Sequence, residues 1–449
     1  MYETWYDERE SSIVDSLKEY LKFPSVSTDP KRKGDVEACC HWLKDQMVSL
    51  GIPTEIWETG GHPLLFGKVE AGPDCPTLLV YLHYDVQPED PIDLWETPPF
   101  EPTIRDGEIY ARGAVDNKGL CWFTLQGIAA FIEKSGGVNL KVLIEGEEEI
   151  GSPSLFDVLE KRKDELSADH CLIVDIDIPS LDTPSIVLGS RGVTTLNVTV
   201  ETANEDLHSG LFGGLVANPV RVLAEALGSM WDEKGSVAIP GFYDGMRVLT
   251  KEEREGMLDP KRLDVYGKSL GITALHHEEG YDLFETNALR PTIEINGFHG
   301  GYGGEGSKTV LPCSAHAKLS CRTIPGQDSE KIMAGIKDHL QSHMPEGAVF
   351  YYSDEHCAPG YWNNFSSKFA QIVKDAYADV LRTPCGHTVS GGTIPIATRL
   401  AEVASNDVVF MGYAFADDGM HAPNEHFGID RIRYGFLTIT QVLERLGKQ

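Results

Sequence analysis

No run of about 18 apolar residues, the length needed to span a bilayer, occurs anywhere in the chain. A membrane-spanning helix is therefore not expected. Basic residues are scarce: Lys and Arg total 39 against 69 Asp and Glu, a formal charge of −30 at pH 7. A surface this acidic repels nucleic acid and anionic lipid, so neither is expected as a partner. The nine cysteines are odd in number and scattered, with no C-x-x-C pair. That spacing disfavours both a disulfide framework and a Cys-type zinc site. The opening MYETWYDERESS is charged and lacks the apolar core of a signal peptide, so the expected location is the cytoplasm. There is no internal repeat and no low-complexity tract.

What is present is a globular composition, 41% hydrophobic and 24% charged, in 449 residues. That length exceeds one ordinary core, so two domains are expected. Ile13, Leu17 and Leu21 recur at helical spacing before Pro24. A second helix is expected from about Asp35 to Leu50, stopped by Gly51 and Pro53. Apolar strands and helices then alternate. Strands are expected from Thr77 to Val86, Leu140 to Ile144 and His170 to Ile176. A helix is expected from Leu120 to Lys134, closed by Ser135-Gly136-Gly137. This alternation implies an α/β fold, a mostly parallel sheet with helices on both faces. The pattern then changes. TLNVTVET (195–202) alternates with period two, and Asn218 to Met230 reads as helix. A charged, Gly-rich passage runs to about Glu285, followed by PTIEINGF, a turn from Gly300 to Gly306, and the strand AHAKLSCRTIP. These features describe a smaller α+β domain inserted into the first, whose pattern resumes in VVFMGY (408–413). The expected division is 1–191, first domain; 192–358, insertion; 359–449, first domain resumed.

Five acid or imidazole groups fall where the parallel strands end. His83 lies in HYDVQP with Asp85 two residues on, and i and i+2 share a face in a strand. Asp85 can thus fix the tautomer of a metal-bound His83, although an H-x-D pair alone also reads as a bonded loop pair. Asp116, in RGAVDNKG, precedes a helix and reads equally well as an N-cap. Glu147, Glu148 and Glu149 follow the strand LKVLI; adjacent carboxylates repel unless a cation intervenes. Asp175 ends HCLIVD, with Asp177 as a competitor, and His421 sits in the loop after VVFMGY. Ligands of open α/β sheets bind beyond the carboxyl ends of the strands. Two His and three carboxylates there suit two divalent ions with one carboxylate bridging. Zinc and manganese both accept mixed nitrogen and oxygen donors, so the donor set does not choose between them; zinc is the first expectation and manganese the alternative. A further carboxylate serves as general base, and the Glu run supplies one.

The order HYDVQP, RGAVDNKG, EGEEEIGS, DLHSGLFGG, SKTVLP, SGGTIP, DDGMHAPNE resembles the carnosinase/aminoacylase family of co-catalytic di-metal peptidases, which includes the succinyl-diaminopimelate desuccinylases. The carnosinase-like dipeptidase branch is the nearest. The resemblance covers nearly the whole chain. It implies metal ligands at His83, Asp116, Glu149, Asp175 and His421, with Asp116 bridging and Asp85 orienting His83. It implies Glu148 as general base, acting on a water held between the metals. The register of the three glutamates is set by Gly151-Ser152. Asp175 is preferred to Asp177 on its spacing to Pro184 and Gly189-Ser190-Arg191. A cis peptide is implied at Asp116-Asn117.

The insertion is then a lid and dimerisation domain. His208 matches a histidine that reaches the active site of the partner in a homodimer and polarises the scissile carbonyl; read alone it is a turn residue. Arg322 matches a residue that binds the substrate's terminal carboxylate, and read alone it is an arginine paired on an exposed strand. Thr309, Gly392 and Thr393 match further substrate contacts, the latter two within the Gly391-Gly392-Thr393 turn. The implied function is hydrolysis of the amide bond of dipeptides or short peptides with a free C-terminal carboxylate. The alternative on the same scaffold is an N-acyl-amino-acid deacylase or desuccinylase. One departure bears on this choice: carnosinase-type members carry Glu just before the Gly-Gly turn, and this chain has Ser390.

Overall fold

The strand Thr77–His83 is buried on both faces. Leu78, Val80 and Leu82 point into one core, Leu79 and Tyr81 into another. That is the burial of a central parallel strand, and it explains the unbroken apolar run. The computed structural model describes residues 1–134, 136–259, 267 and 271–448. Ser135, named above in a helix stop, and 260–266 and 268–270 of the Gly-rich passage fall outside these.

Thr77–His83 pairs in parallel with Asn139–Glu145 on one side and His170–Val174 on the other, and Val408–Met411 continues the parallel set. Antiparallel strands close both edges: Leu64–Val69 and Thr54–Trp57 at one, Ser185–Ser190 and Tyr361–Trp362 at the other. Gly386–Ser390 adds a further parallel pair to Ser185–Ser190. One face is covered by helices that include Glu10–Leu21, Lys33–Ser49, Lys118–Lys134, Lys368–Leu381 and Ile429–Leu446. The other is covered by Leu155–Lys161 and Pro395–Val403. Lys118–Lys134 is buried from Lys118 through Phe131. It meets Ile429–Leu446 closely. A Cβ on Gly127 would lie 2.8 Å from Ile439, and one on Gly435 would lie 2.6 Å from Phe123.

Between the strands ending at Ser190 and beginning at Tyr361 the chain forms a second, antiparallel sheet. Its order is Thr292–Gly300, Ser314–Thr323, Gly192–Glu201, Val349–Ala358. Alternation in Gly192–Glu201 turns Leu196, Val198 and Val200 toward Pro219–Gly228 and Ser329–Ser342, which bury Leu223, Leu227, Ile332, Ile336 and Leu340 there. Asn218 and Asp328 cap these two helices through their side chains. The α/β class and the α+β insertion therefore stand as expected.

Some element boundaries differ. The first helical stretch is two helices, Tyr2–Asp7 and Glu10–Leu21. The strand expected to reach Val86 ends at His83, because the backbone beyond it leaves the ladder for the site described below. A small sheet of Thr103–Arg105, Glu108–Tyr110 and His426–Gly428 has no counterpart in the sequence reading. Its hairpin turns at Asp106-Gly107, both at positive φ, the residue pair that a tight turn of this hand favours.

Candidate metal centre

The four central parallel strands end side by side. His83 is the last residue of its strand. Glu145 ends the next, leading into Glu147–Glu149; Val174 ends the third, leading into Asp175. Met411 ends the fourth, leading into the His421 loop. This is the crevice in which open α/β sheets hold ligands.

The side chains converge in two groups. Ligand-type atoms of His83, Glu148 and Asp175 lie within 4.8 Å of one another, as do those of Asp116, Glu149 and His421. Asp116 joins the groups: one carboxylate oxygen lies 3.1 Å from His83 Nε2, the other 2.9 Å from His421 Nε2. His83 Nε2 also lies 3.6 Å from Asp175, and His421 Nε2 3.3 Å from Glu149. Asp177 belongs to neither group. Asp116 binds histidines rather than helix N–H groups, and the Asp116-Asn117 peptide is cis.

Asp85 does more than orient His83. Its carboxylate lies 3.3 Å from His83 Nδ1 and accepts the N–H groups of Glu148 (3.2 Å) and Glu149 (3.1 Å). One buried aspartate thus fixes the ring and the register of the Glu run together. Glu147 is used differently, its carboxylate accepting the N–H groups of His62 and Ser154.

The charges fit cations. Burial, with the Asp175, Asp116 and Glu149 charges, raises the Glu148 carboxyl well above the usual range, despite His83. Burial likewise raises Glu149, and among the described residues its buried Oε1 has no hydrogen-bond partner. His83 opposes its own burial: the Asp175 charge and bonds to Asp116, Asp175 and Asp85 hold its imidazole well above the ordinary value. Bonds to Asp116 and Glu149 raise His421 to about 10. A buried carboxylate oxygen without a donor, among repelling acids and imidazoles, is the environment a divalent cation satisfies. The donor set, nitrogen and oxygen without sulfur, suits such ions.

Several supporting residues escaped the sequence reading. Glu425, fully buried, accepts the N–H groups of Gly113, Val115 and Asp116 and pairs with Arg112 at 2.7 Å. It thereby clamps the Asp116 loop to the His421 loop, where His421 itself has φ 59°. Asn117 donates to Asp175 at 2.6 Å, and Gln87 to Glu149 at 2.7 Å. All three lie inside quoted motifs, at positions no local pattern singles out. Removing one partner of a buried ion pair leaves the other charge uncompensated. Glu425→Ala is expected to destabilise by about 3–5 kcal/mol in denaturant unfolding; a loss below about 1 kcal/mol would refute the clamp.

The other predicted residues form two smaller sets. Arg322 Nη1 donates to Thr393 Oγ1 at 2.6 Å, and Gly392 N–H to Ser390 Oγ at 3.1 Å. Among the described residues Arg322 has no acidic partner. His208 and Thr309 meet in a short ladder: His208 opposes Val310, and Ser209 N–H donates to Thr309 O. His208 is exposed, and its ring accepts the Gly210 N–H. Among the described residues no hydrogen bond joins this pair to the strand-end groups.

The chain is 30% identical to the Cys-Gly metallodipeptidase DUG1 of Candida albicans, over 98% of this chain and 96% of that protein. It is 28% identical to the Beta-Ala-His dipeptidase of Rattus norvegicus, over 94% and 90%. Among solved structures, it resembles an M20 family metallo-carboxypeptidase, Sso-CP2, from Sulfolobus solfataricus (33% identity, TM-score 0.84, 97% of this chain and 99% of that one). It also resembles human carnosine dipeptidase 1 (28%, TM-score 0.80, 99% and 98%). The pattern of peptidase family M20/M25/M40 matches residues 79–445, and the chain belongs to that family.

Proposed function

We propose that this peptidase hydrolyses dipeptides or short peptides bearing a free C-terminal carboxylate, with His83, Asp116, Glu149, Asp175 and His421 holding two divalent ions. One observation carries the reading: two groups of ligand-type atoms, joined through both oxygens of Asp116, at the ends of parallel strands. Zinc is the preferred metal and manganese the alternative. When bound, the two ions supply an acidified water and positive charge for the developing oxyanion.

The chain's own residues do the rest. Asp116 gives the His83–Asp175 group its third donor, which leaves the Glu148 carboxylate free to act as base. Glu148 takes a proton from the attacking water and delivers it to the leaving amine. Asp85 holds His83 and the Glu148 backbone in register. Arg322, without an acidic partner among the described residues, receives the substrate carboxylate beside Thr393 and Gly392. The partner subunit's His208, with Thr309, polarises the scissile carbonyl, so the active form is a homodimer through the insertion. The exposure of His208 supports this role. The catalytic unit is 1–191 with 359–449, and 192–358 is the lid. All nine cysteines are unpaired, which supports a cytoplasmic location.

The deciding experiment measures turnover of free-carboxylate dipeptides and of N-acyl amino acids on protein of known metal content. Turnover of dipeptides alone supports the proposal; turnover of N-acyl amino acids alone makes the chain a deacylase instead. The names of the relatives favour the first outcome. Arg322→Ala is expected to raise KM for free-carboxylate dipeptides at least ~10-fold, as loss of a charge-assisted contact does. An unchanged KM would remove Arg322 from the carboxylate site.

A further inference from the structure

The chain passes between its two sheets twice, through residues 190–192 and 358–361. Both passages are tight. A Cβ on Gly192 would lie 2.7 Å from Gly360 N, one on Gly360 2.6 Å from Gly192 N, and one on Gly189 2.1 Å from Tyr361 O. The two passages run back to back with no space for a side chain. Arg191 stands between these glycines, 4% exposed, and all its contacts lead to the 390–393 turn and its surroundings.

Its N–H donates to the carbonyls of Ser390 (3.2 Å) and Gly392 (3.1 Å). Its Nε donates to Gly391 O at 2.8 Å, and its Nη1 to Arg290 O at 3.0 Å and Thr292 Oγ1 at 3.2 Å. Thr292 is the cross-strand partner of Arg322, and Arg322 grips the same turn through Thr393. One guanidinium thus ties the turn and Thr292, first residue of its strand and cross-strand neighbour of Arg322, to the crossing. Among the described residues neither guanidinium has an ion-pair partner, in a chain with 69 acidic residues. A buried guanidinium bonded only to neutral oxygens keeps its full charge beside the turn, and desolvation makes that costly. Burial, and then the Arg322 charge, hold the Arg191 pKa below its ordinary value. An anion brought to Arg322 would relieve that repulsion.

We propose that Arg191 is a positioning residue for carboxylate recognition, fixing the 390–393 turn and the Arg322 strand to the inter-sheet crossing and placing a second positive charge behind Arg322. The inference rests on the reading that Arg322 meets the substrate's carboxylate.

The test compares a dipeptide with its C-terminal amide on the metal-loaded enzyme. Arg191→Lys keeps a charge but not the fork. It is expected to raise KM for the free acid ~10-fold or more, with kcat within ~3-fold. Metal content and KM for the amide stay as in the parent. In an Arg322→Ala background the same change is expected to add less than ~2-fold, since the two residues act as one unit. Thr292→Val, which removes a single acceptor, should move the same KM in the same direction by ~2–5-fold, and it decides the matter if Arg191→Lys does not fold. A rise equal for acid and amide, or undiminished in the Arg322→Ala background, overturns the proposal. An Arg322→Ala enzyme with unchanged KM overturns the carboxylate reading and this inference with it. A normal KM in both Arg191→Lys and Thr292→Val, beside a raised one in Arg322→Ala, overturns this inference alone.

Discussion

Glu148→Gln is expected to lower kcat by ~10²–10⁴, the range that a positioned general base contributes, while leaving metal content unchanged. Glutamine keeps the shape of the side chain and the backbone bond to Asp85, so the substitution removes the proton acceptor and little else. The five proposed ligands are untouched. Burial and the charges of Asp175, Asp116 and Glu149 raise the Glu148 carboxyl; cations bound beside it would offset those charges and keep it ionised, ready to accept a proton. Glu149→Gln is the contrasting case. Its carboxylate lies 3.3 Å from His421 and carries the unpartnered oxygen, so its loss should lower metal occupancy as well as rate. Atomic-absorption stoichiometry measured beside kcat separates the two variants. Near-normal turnover of metal-loaded Glu148→Gln would dismiss Glu148 as the base. Metal loss in Glu148→Gln with full occupancy in Glu149→Gln would exchange their roles.

The parallel centre of the large sheet was readable because strands buried on both faces carry unbroken apolar runs, as Thr77–His83 and His170–Val174 do. The groups at their ends followed, since a polar residue closing such a run must lie in the crevice. Asp177 competes with Asp175 at the strand end, and spacing to Pro184 and Gly189-Ser190-Arg191 prefers Asp175; in three dimensions Asp175 lies with His83 and Glu148, and Asp177 is in neither group. Glu425 was illegible for a different reason. Its donors are backbone N–H groups more than 300 residues earlier in the chain, and no local pattern encodes a bond at that distance. The end of the strand Thr77–His83 was missed because Val86, apolar like the run before it, pairs with Val26 outside the sheet, while Asp85 between them serves the Glu148 and Glu149 N–H groups.

Removal of metal by a chelator is expected to abolish turnover and to lower the melting temperature by an amount that grows as pH rises. Each ion present at 100 times its dissociation constant stabilises the fold by about 2.7 kcal/mol. The pH dependence comes from the groups the ions leave behind. Glu148 and Glu149 have folded-state pKa values raised by burial above the ordinary 4.5. Their contribution is therefore favourable in acid and is lost as pH rises through those folded values. His421 is raised from 6.5 to about 10 by its bonds to Asp116 and Glu149, so its contribution is present below 6.5 and fades toward pH 10. Asp116 runs the other way. Its burial is outweighed by hydrogen bonds from His421 and His83, which hold it below the usual range; its contribution is lost only in strong acid. Between pH 6.5 and about 10, the range over which the His421 contribution fades, the metal-free protein thus loses stability. The loaded protein does not, because bound cations take the place of the missing protons. Restoring zinc or manganese should restore both turnover and melting temperature. Thermal melts with and without chelator across that range decide the matter. A gap that narrows with rising pH would mean that the strand-end acids are balanced without cations, and the metal centre would lose its electrostatic basis.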